Sequence, residues 1–325
     1  MSKIHDTKIL LTGATGFIGG RLLYALDEKG YRVRCLVRIA ERFSPKRPLQ
    51  GSPEVVYADL LDPTTLPRAL EGVDVAYYLV HSMGGRSIRE TLAFAERDRL
   101  AATNFLAAAE KAGVKRIIYL GGLGETRERL SKHLASRQEV ARILQAGNIK
   151  TTALRAAVII GAGGASFEIV RYLAERLPLM LCPRWIDTRC QPIAVQDAIS
   201  YLVGCIETPQ TEGLTLDICG PDIITYRKMI LLYAQVRGLH RKIIPVPVLT
   251  PKLSAYWINL ITPVPTGIVF PLLEGLKNEV ICRDNRIREL IPLDLMSMKE
   301  AICTALTETH KGPGQLPSRQ ACFLD

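Results

Sequence analysis

"LLTGATGFIGGRLL", Leu10–Leu23, decides the fold. An apolar run breaks at Gly13, Gly16 and Gly19 and then resumes with helical spacing. Glycine inside a strand or helix costs about 0.5–1 kcal/mol relative to alanine, so this spacing needs a compensating task. The first turn of a helix presents unpaired N–H groups and a partial positive charge, which together attract anions. Gly13 then makes the tight turn, Gly16 lets a diphosphate reach the backbone, and Gly19 lets the helix pack close to the sheet. A bare strand-to-helix turn needs only one glycine. The stretch therefore implies a bound dinucleotide.

Working outward, short apolar runs alternate with amphipathic stretches. Strands are expected at Lys8–Thr12, Tyr31–Val37, Glu54–Ala58, Val75–Val80, Arg116–Leu120 and Thr152–Ile160, and helices at Phe17–Lys29, Ser87–Ala112 and Ser131–Ala146. Strands separated by helices predict right-handed crossovers, hence an α/β fold with a Rossmann-type, doubly wound parallel sheet. Residues 1–160 read as the nucleotide-binding domain. Residues 161–310 read as a smaller C-terminal substrate or lid region interleaved with the sheet, with a helix at Phe167–Glu175 and a strand-like "LTLDIC", and 311–325 as a tail.

The 325 residues are 48% hydrophobic and 23% charged, the balance of a globular chain rather than a disordered one. A net charge of +10 favours anionic partners without choosing among them. Zinc-finger spacing, an aromatic-plus-basic strip and a long basic tail are all missing, so nucleic acid is not an expected partner. The eight cysteines stand singly with no CxxC, which suggests a reducing cytoplasm and no metal site. The glycines make the N-terminus a strand and turn rather than a signal peptide.

The second strand ends in "VRCLVRIAER", with Arg38 where an NAD site usually places an acid for the ribose 2′-hydroxyl. Seven basic residues against three acids lie between Asp27 and Arg47. Charge-assisted bonds to a 2′-phosphate are worth about 1.5–3 kcal/mol each, so NADP(H) is expected over NAD(H). Asp59, ending the third strand in "VVYADLLDP", can reach an adenine amino group or simply cap the next turn.

With TGATGFIGG, "YADL", an Asn in "AATNFLAAAEKAGVKRIIYL" and "LRAAVIIGAG", the chain resembles the atypical short-chain dehydrogenase/reductases, nearest the NmrA-like and complex I accessory-subunit-like branch. "YYLVHSMGG", "HLASRQEV", "QPIAVQDA" and "IPVPVLTPKLS" resemble a narrower group of bacterial NAD(P)-binding proteins. The resemblance implies cofactor contacts at Gly13, Thr15, Gly16, Phe17, Ile18, Arg38, Asp59 and Leu60; Gly19 and Val80 complete the expected set.

The family's enzymes carry Tyr-x-x-x-Lys on the helix after the fifth strand and a Ser or Thr upstream. Here the helix carries His133 and Arg137, and the strand end is "YLGGLGE". A neighbouring arginine lowers a histidine pKa already near 6.5, giving a usable base but a poor acid. His133 is one candidate for proton handling, or else a residue bonding cofactor ribose or solvent; Arg137 is a candidate ribose or phosphate contact. His81, beside Ser82 at the carboxyl edge of the fourth strand, is the other catalytic candidate, with a simple backbone-bonding role as its alternative. Two functions stay open: an NADP(H)-dependent oxidoreductase on a small apolar carbonyl or quinone-like substrate, and a non-catalytic NADP(H)-binding redox sensor or assembly subunit. "LSAYWINLITPVPTGIVFPLL", Leu253–Leu273, is uncharged, but Pro263, Pro265 and Pro271 argue against a spanning helix. It reads as the lid of an apolar pocket, with peripheral contact at the inner membrane face as the alternative.

Overall fold

A computed structural model describes residues 6–39, 41, 43–45, 47–82, 94–124, 130–246 and 261–311. The first half runs β1 (Lys8–Thr12), α1 (Phe17–Glu28), β2 (Arg32–Val37), β3 (Glu54–Tyr57), α2 (Leu66–Leu70), β4 (Val75–Tyr78), α3 (Phe94–Lys111), β5 (Arg116–Gly122), α4 (Lys132–Gln145) and β6 (Lys150–Ala156). The second half begins with β7 (Ile159–Ile160), α5 (Ala165–Arg176), β8 (Leu179–Pro183), β9 (Arg189–Cys190), β10 (Ile193–Ala194) and α6 (Val195–Glu207). It continues with β11 (Thr215–Ile218), β12 (Ile224–Thr225), α7 (Tyr226–Val236), β13 (Lys242–Val246), α8 (Thr266–Gly275), α9 (Arg286–Leu290) and α10 (Met298–Lys311).

Seven strands form one parallel sheet in the order β11-β6-β5-β4-β1-β2-β3. β1 pairs β2 with Lys8 opposite Arg32, and pairs β4 with Ile9 opposite Val75. Chain direction of winding reverses between β1 and β4, which opens a crevice at the carboxyl edge, where such folds bind ligands.

Both faces of the sheet are covered, so β1 is apolar at successive positions. Ile9 and Leu11 point toward Leu22 and Leu26 of α1 and Leu202 of α6. Leu10, on the opposite face, joins Phe105 of α3 and Leu144 of α4. A third core, holding Phe167, Tyr233 and Ile302, lies among α5, α7 and α10. Ser131 caps α4 by accepting from the Leu134 N–H at 3.3 Å, so the expected helix start is a cap.

Two expectations change. The strand expected over Thr152–Ile160 breaks at Ala157–Val158: β6 ends in the sheet, and β7 pairs with β10 instead. A run of apolar residues reads alike before and after a strand changes partner, so periodicity hides the break. Two of the eight cysteines are not single: Cys219 and Cys282 form a disulfide across 63 residues of sequence. Their pairing comes from the tertiary approach of the end of β11 to the segment before α9, which no local spacing announces. The long helix expected from Ser87 is described from Phe94; 87–93 lie outside the described residues.

Of the apolar segment Leu253–Leu273, residues 253–260 lie outside the described residues. The remainder places Val264, Val269, Phe270 and Leu273 against Ile169 and Leu173 of α5 and against Trp185. Among the described residues, no helix is long and apolar enough to cross a membrane. The tail from residue 312 is outside them too, as are Arg42, Lys46 and the Met83–Gly85 part of "HSMGG".

Candidate active site

The glycine loop joins β1 to α1 at the crevice. Gly13 has φ +71°, a left-handed conformation that side chains rarely adopt. Its carbonyl accepts from the Gly16 N–H at 2.9 Å, closing the turn. A Cβ on Gly19 would lie 2.1 Å from that same carbonyl oxygen, so only glycine allows α1 this close to β1. Gly16 is the N-cap of α1 and supplies no side-chain cap. Thr15 and Gly16 are exposed, and Phe17 and Ile18 follow at the helix start. This uncapped helix end fits a diphosphate. Thr12 fastens the loop to β4: its hydroxyl donates to the Tyr77 carbonyl and accepts from the Leu79 N–H, each at 2.9 Å.

Arg38 is exposed directly after β2. Asp59 Oδ1 accepts from the Leu61 N–H at 3.0 Å, a local turn, while the cap of the helical turn that follows is Asp62. Leu60 is buried, and its carbonyl accepts from Asn104 of α3 at 3.0 Å, which ties the adenine-side loop to the long helix.

Beside β4 and β5 lies a different construction. His81 Nδ1 is 2.7 Å from Oδ2 of Asp98, and His81 Nε2 is 3.1 Å from Nδ1 of His133. The two histidine candidates, separated by 52 residues, thus meet in one hydrogen-bonded chain. Asp98 is buried on α3, and its Oδ1 accepts from the Ser82 N–H at 2.8 Å. Burial pushes the Asp98 carboxyl up, but the hydrogen bonds from His81 and Ser82 outweigh it and hold it below the ordinary carboxylate value. Burial also lowers both imidazoles, His133 to about 3. Arg137 contributes to that lowering, as expected, yet burial is the larger cause.

Sequence reading missed Asp98. The signal was there: Phe94, Asp98, Ala101, Ala102, Phe105 and Ala109 form the buried stripe of α3, and a carboxylate in such a stripe needs a partner.

Arg137 stands one helical turn beyond His133, where the family has lysine. Its guanidinium bonds the Val80 carbonyl at 3.3 Å and the Leu120 carbonyl, and sits over the Tyr119 ring with 4.8 Å to the centroid. Arg137 therefore braces the carboxyl ends of β4 and β5. Where a serine is usual, Gly121 and Gly122 admit close neighbours instead: added Cβ atoms would meet Tyr119 at 2.8 Å and Leu134 at 3.0 Å.

His81, His133 and Arg137 form the polar end of a cavity of about 780 Å³. Phe17 and Ile18 border it at the glycine loop. Its remaining wall is mostly apolar, including Ile169, Leu173, Met229 and Ile230 from α5 and α7, with Leu273 and Leu276 from α8 and its end.

A doubly wound sheet with a glycine-turned, uncapped helix at its switch point defines a dinucleotide-binding protein of the Rossmann class. A family model described as NAD(P)H-binding matches residues 13–172. The chain belongs to the atypical short-chain dehydrogenase/reductases, an NAD(P)H-binding, reductase-like family. It is 30% identical to a ceramide reductase of Caulobacter vibrioides over 74% of this chain and 73% of that one. It is 25% identical to the photosystem II assembly factor Ycf39 of Trieres chinensis, over 75% and 74%. The fold is that of a nucleoside-diphosphate-sugar epimerase from Staphylococcus aureus (TM-score 0.71, 18% identity, covering 91% of this chain and 99% of that one). An NADPH-dependent quinone oxidoreductase from Escherichia coli shares it too (TM-score 0.69, 18% identity, 90% and 98%).

Proposed function

We propose that this protein is an NADPH-dependent reductase of an apolar carbonyl compound, a lipid-like ketone or a quinone. The observation that carries the reading is the apolar cavity, which runs from α5, α7 and α8 to a polar end at His81 and His133 beside the glycine loop. Gly13, Gly16 and the first amides of α1 would hold the diphosphate, and Arg38 a 2′-phosphate. The cofactor, when bound, supplies a hydride. His133 would handle the proton at the substrate oxygen. His133 lines the cavity, and among the described residues its ring is hydrogen-bonded only through Nδ1, to His81.

Similarity to a ceramide reductase supports a lipid-like substrate. Similarity to an assembly factor supports the binding-only alternative, but a binder has no use for a buried carboxylate wired to two histidines at the cavity end. The substrate would be drawn from a membrane surface. Leu179, Leu181 and Ile244 are exposed on the paired strands β8 and β13, and the first two also line the cavity, so apolar surface continues from solvent inward. Such a protein would work with peripheral membrane contact.

The test is NADPH oxidation with a short-tailed benzoquinone, a long-chain 2-alkanone and a polar aldehyde. Turnover with an apolar acceptor, and none with the polar one, is expected. Tight NADPH binding by calorimetry with no turnover on any of them would establish the binding-only function.

A further inference from the structure

We propose that Asp98, His81 and His133 form a proton relay to the substrate oxygen, in which Asp98 stores the proton and His133 Nε2 delivers or receives it. The inference deepens the reductase reading and rests on it for the identity of the substrate, while the hydrogen-bond register the relay needs is tested without any substrate.

The hydrogen-bond chain permits two registers. An ionised carboxylate only accepts, so with Asp98 charged the His81 proton sits on Nδ1. His81 Nε2 is then a lone pair, His133 Nδ1 must be the donor across 3.1 Å, and His133 Nε2 is left as a lone pair. Every donor points toward Asp98. In the reverse register Asp98 carries a proton on Oδ2 and donates it to His81 Nδ1. His81 Nε2–H then donates to His133 Nδ1, and His133 Nε2 carries a proton outward. The second register holds one more proton than the first, and neither contains an imidazolium. That suits a site where burial opposes charged imidazole.

In reduction a bound nicotinamide cofactor would supply the hydride to the carbonyl carbon, and His133 Nε2 gives the proton to the oxygen. The proton on His81 Nε2 moves to His133 Nδ1, and the proton on Asp98 moves to His81 Nδ1. One proton leaves the trio, Asp98 ends as carboxylate in the accepting register, and a proton from water must load the trio again before the next reduction. Alcohol oxidation runs the same shifts backward. A histidine too rarely protonated to donate as an imidazolium thus still serves as a donor, because the proton is drawn from the distant carboxyl.

The surroundings hold the trio in line. Ser82 N–H fixes Oδ1 at 2.8 Å, the Ser136 hydroxyl approaches Oδ2 at 3.4 Å, and Phe94 meets the His81 ring edge-on at 5.9 Å between centroids. Among the described residues, the other ionisable groups facing it are Arg137 of α4 and the phenols Tyr78 and Tyr119, whose pKa values burial raises. With Asp98 held below the ordinary carboxylate range, the resting register at neutral pH is the accepting one. Reduction therefore speeds up as pH falls.

Asp98→Asn separates relay from scaffold. The Ser82 backbone is a fixed donor, so the amide oxygen turns to it and the amide NH₂ donates to His81 Nδ1. The register is then reversed and cannot reload. Long-range ¹⁵N NMR of the ligand-free protein at neutral pH should show both imidazoles as Nδ1–H in the wild type and as Nε2–H in Asp98→Asn. With the apolar acceptor, kcat should fall about a hundredfold in this variant and lose its rise toward acid pH, with NADPH affinity unchanged. Should Asp98→Asn not fold, His133→Gln must abolish the same pH dependence, and the wild-type spectrum still decides the register. Nε2–H imidazoles in the wild type, or a wild-type pH profile in either variant, would overturn the relay. A protein with Nδ1–H imidazoles and no turnover would instead remove the reductase reading and leave the hydrogen-bond register standing.

Discussion

The glycine loop and the polar end of the cavity flank the same crevice and are made of opposite materials. The loop is backbone: a left-handed turn at Gly13, a carbonyl approached by Gly19, and helix amides without a side-chain cap. The polar end is side chain: an imidazole after β4, a carboxylate on α3 and an imidazole on α4. A backbone site needs only missing side chains over a few neighbouring positions, and it tolerates no added atom. A side-chain site draws on residues far apart in sequence and tolerates substitution, at the expense of its chemistry.

Gly19→Ala tests the first half of that contrast and carries the largest expected effect. Its methyl would press on the Gly13 carbonyl, where nothing flexible can yield, and should cost about 1–3 kcal/mol of stability together with NADPH binding. Gly20→Ala, whose nearest atom would be 3.4 Å away, should leave both unchanged. Denaturant unfolding and calorimetry read the pair. Equal behaviour of the two variants would show that the loop is not limited by close approach.

Arg38→Ala is next. Loss of a charge-assisted bond worth about 1.5–3 kcal/mol should weaken NADPH binding at least tenfold and leave NADH unaffected. Equal affinities for the two cofactors in the wild type would remove the NADP preference.

The smallest effect is at neutral pH and grows with acid. His133 titrates near 3 in the folded protein against about 6.5 when exposed, so the unfolded chain binds more protons between those values. Stability is complete above the upper value and declines as pH falls through the window. His133→Gln should flatten that decline in a series of melting temperatures measured across acid pH. An unchanged slope would place the acid sensitivity elsewhere.

This contrast also explains what could be read from sequence. The positions of the first six strands along the chain and the start of α1 were legible because the glycine spacing and the apolar runs are local. His81 and His133 could each be singled out, but not their contact, since β4 and α4 meet only after the sheet is wound. Asp98 announces itself by lying in the apolar stripe of α3, a signal that names a buried partner without saying which. Pairing of Cys219 with Cys282, and the departure of β7 from the sheet, depend on which segments become neighbours, and periodicity carries no such information.

Phe17 begins the helix whose first amides face the anion site, yet its ring fits against Gly161 and Gly164, where added Cβ atoms would come within 3.2 and 2.8 Å of it. One turn later Arg21 lies over that ring, donates to the Ala162 carbonyl at 2.8 Å and pairs with the buried Glu308 of α10 at 2.8 Å. The same helix end is therefore also a wall of the apolar cavity, so a dinucleotide at the glycine loop and a ligand in the cavity would share one mechanical element. On the proposed reading, thermodynamic linkage would make the coupling symmetric: by whatever factor the dinucleotide altered affinity for the acceptor, the acceptor would alter affinity for the dinucleotide by the same factor.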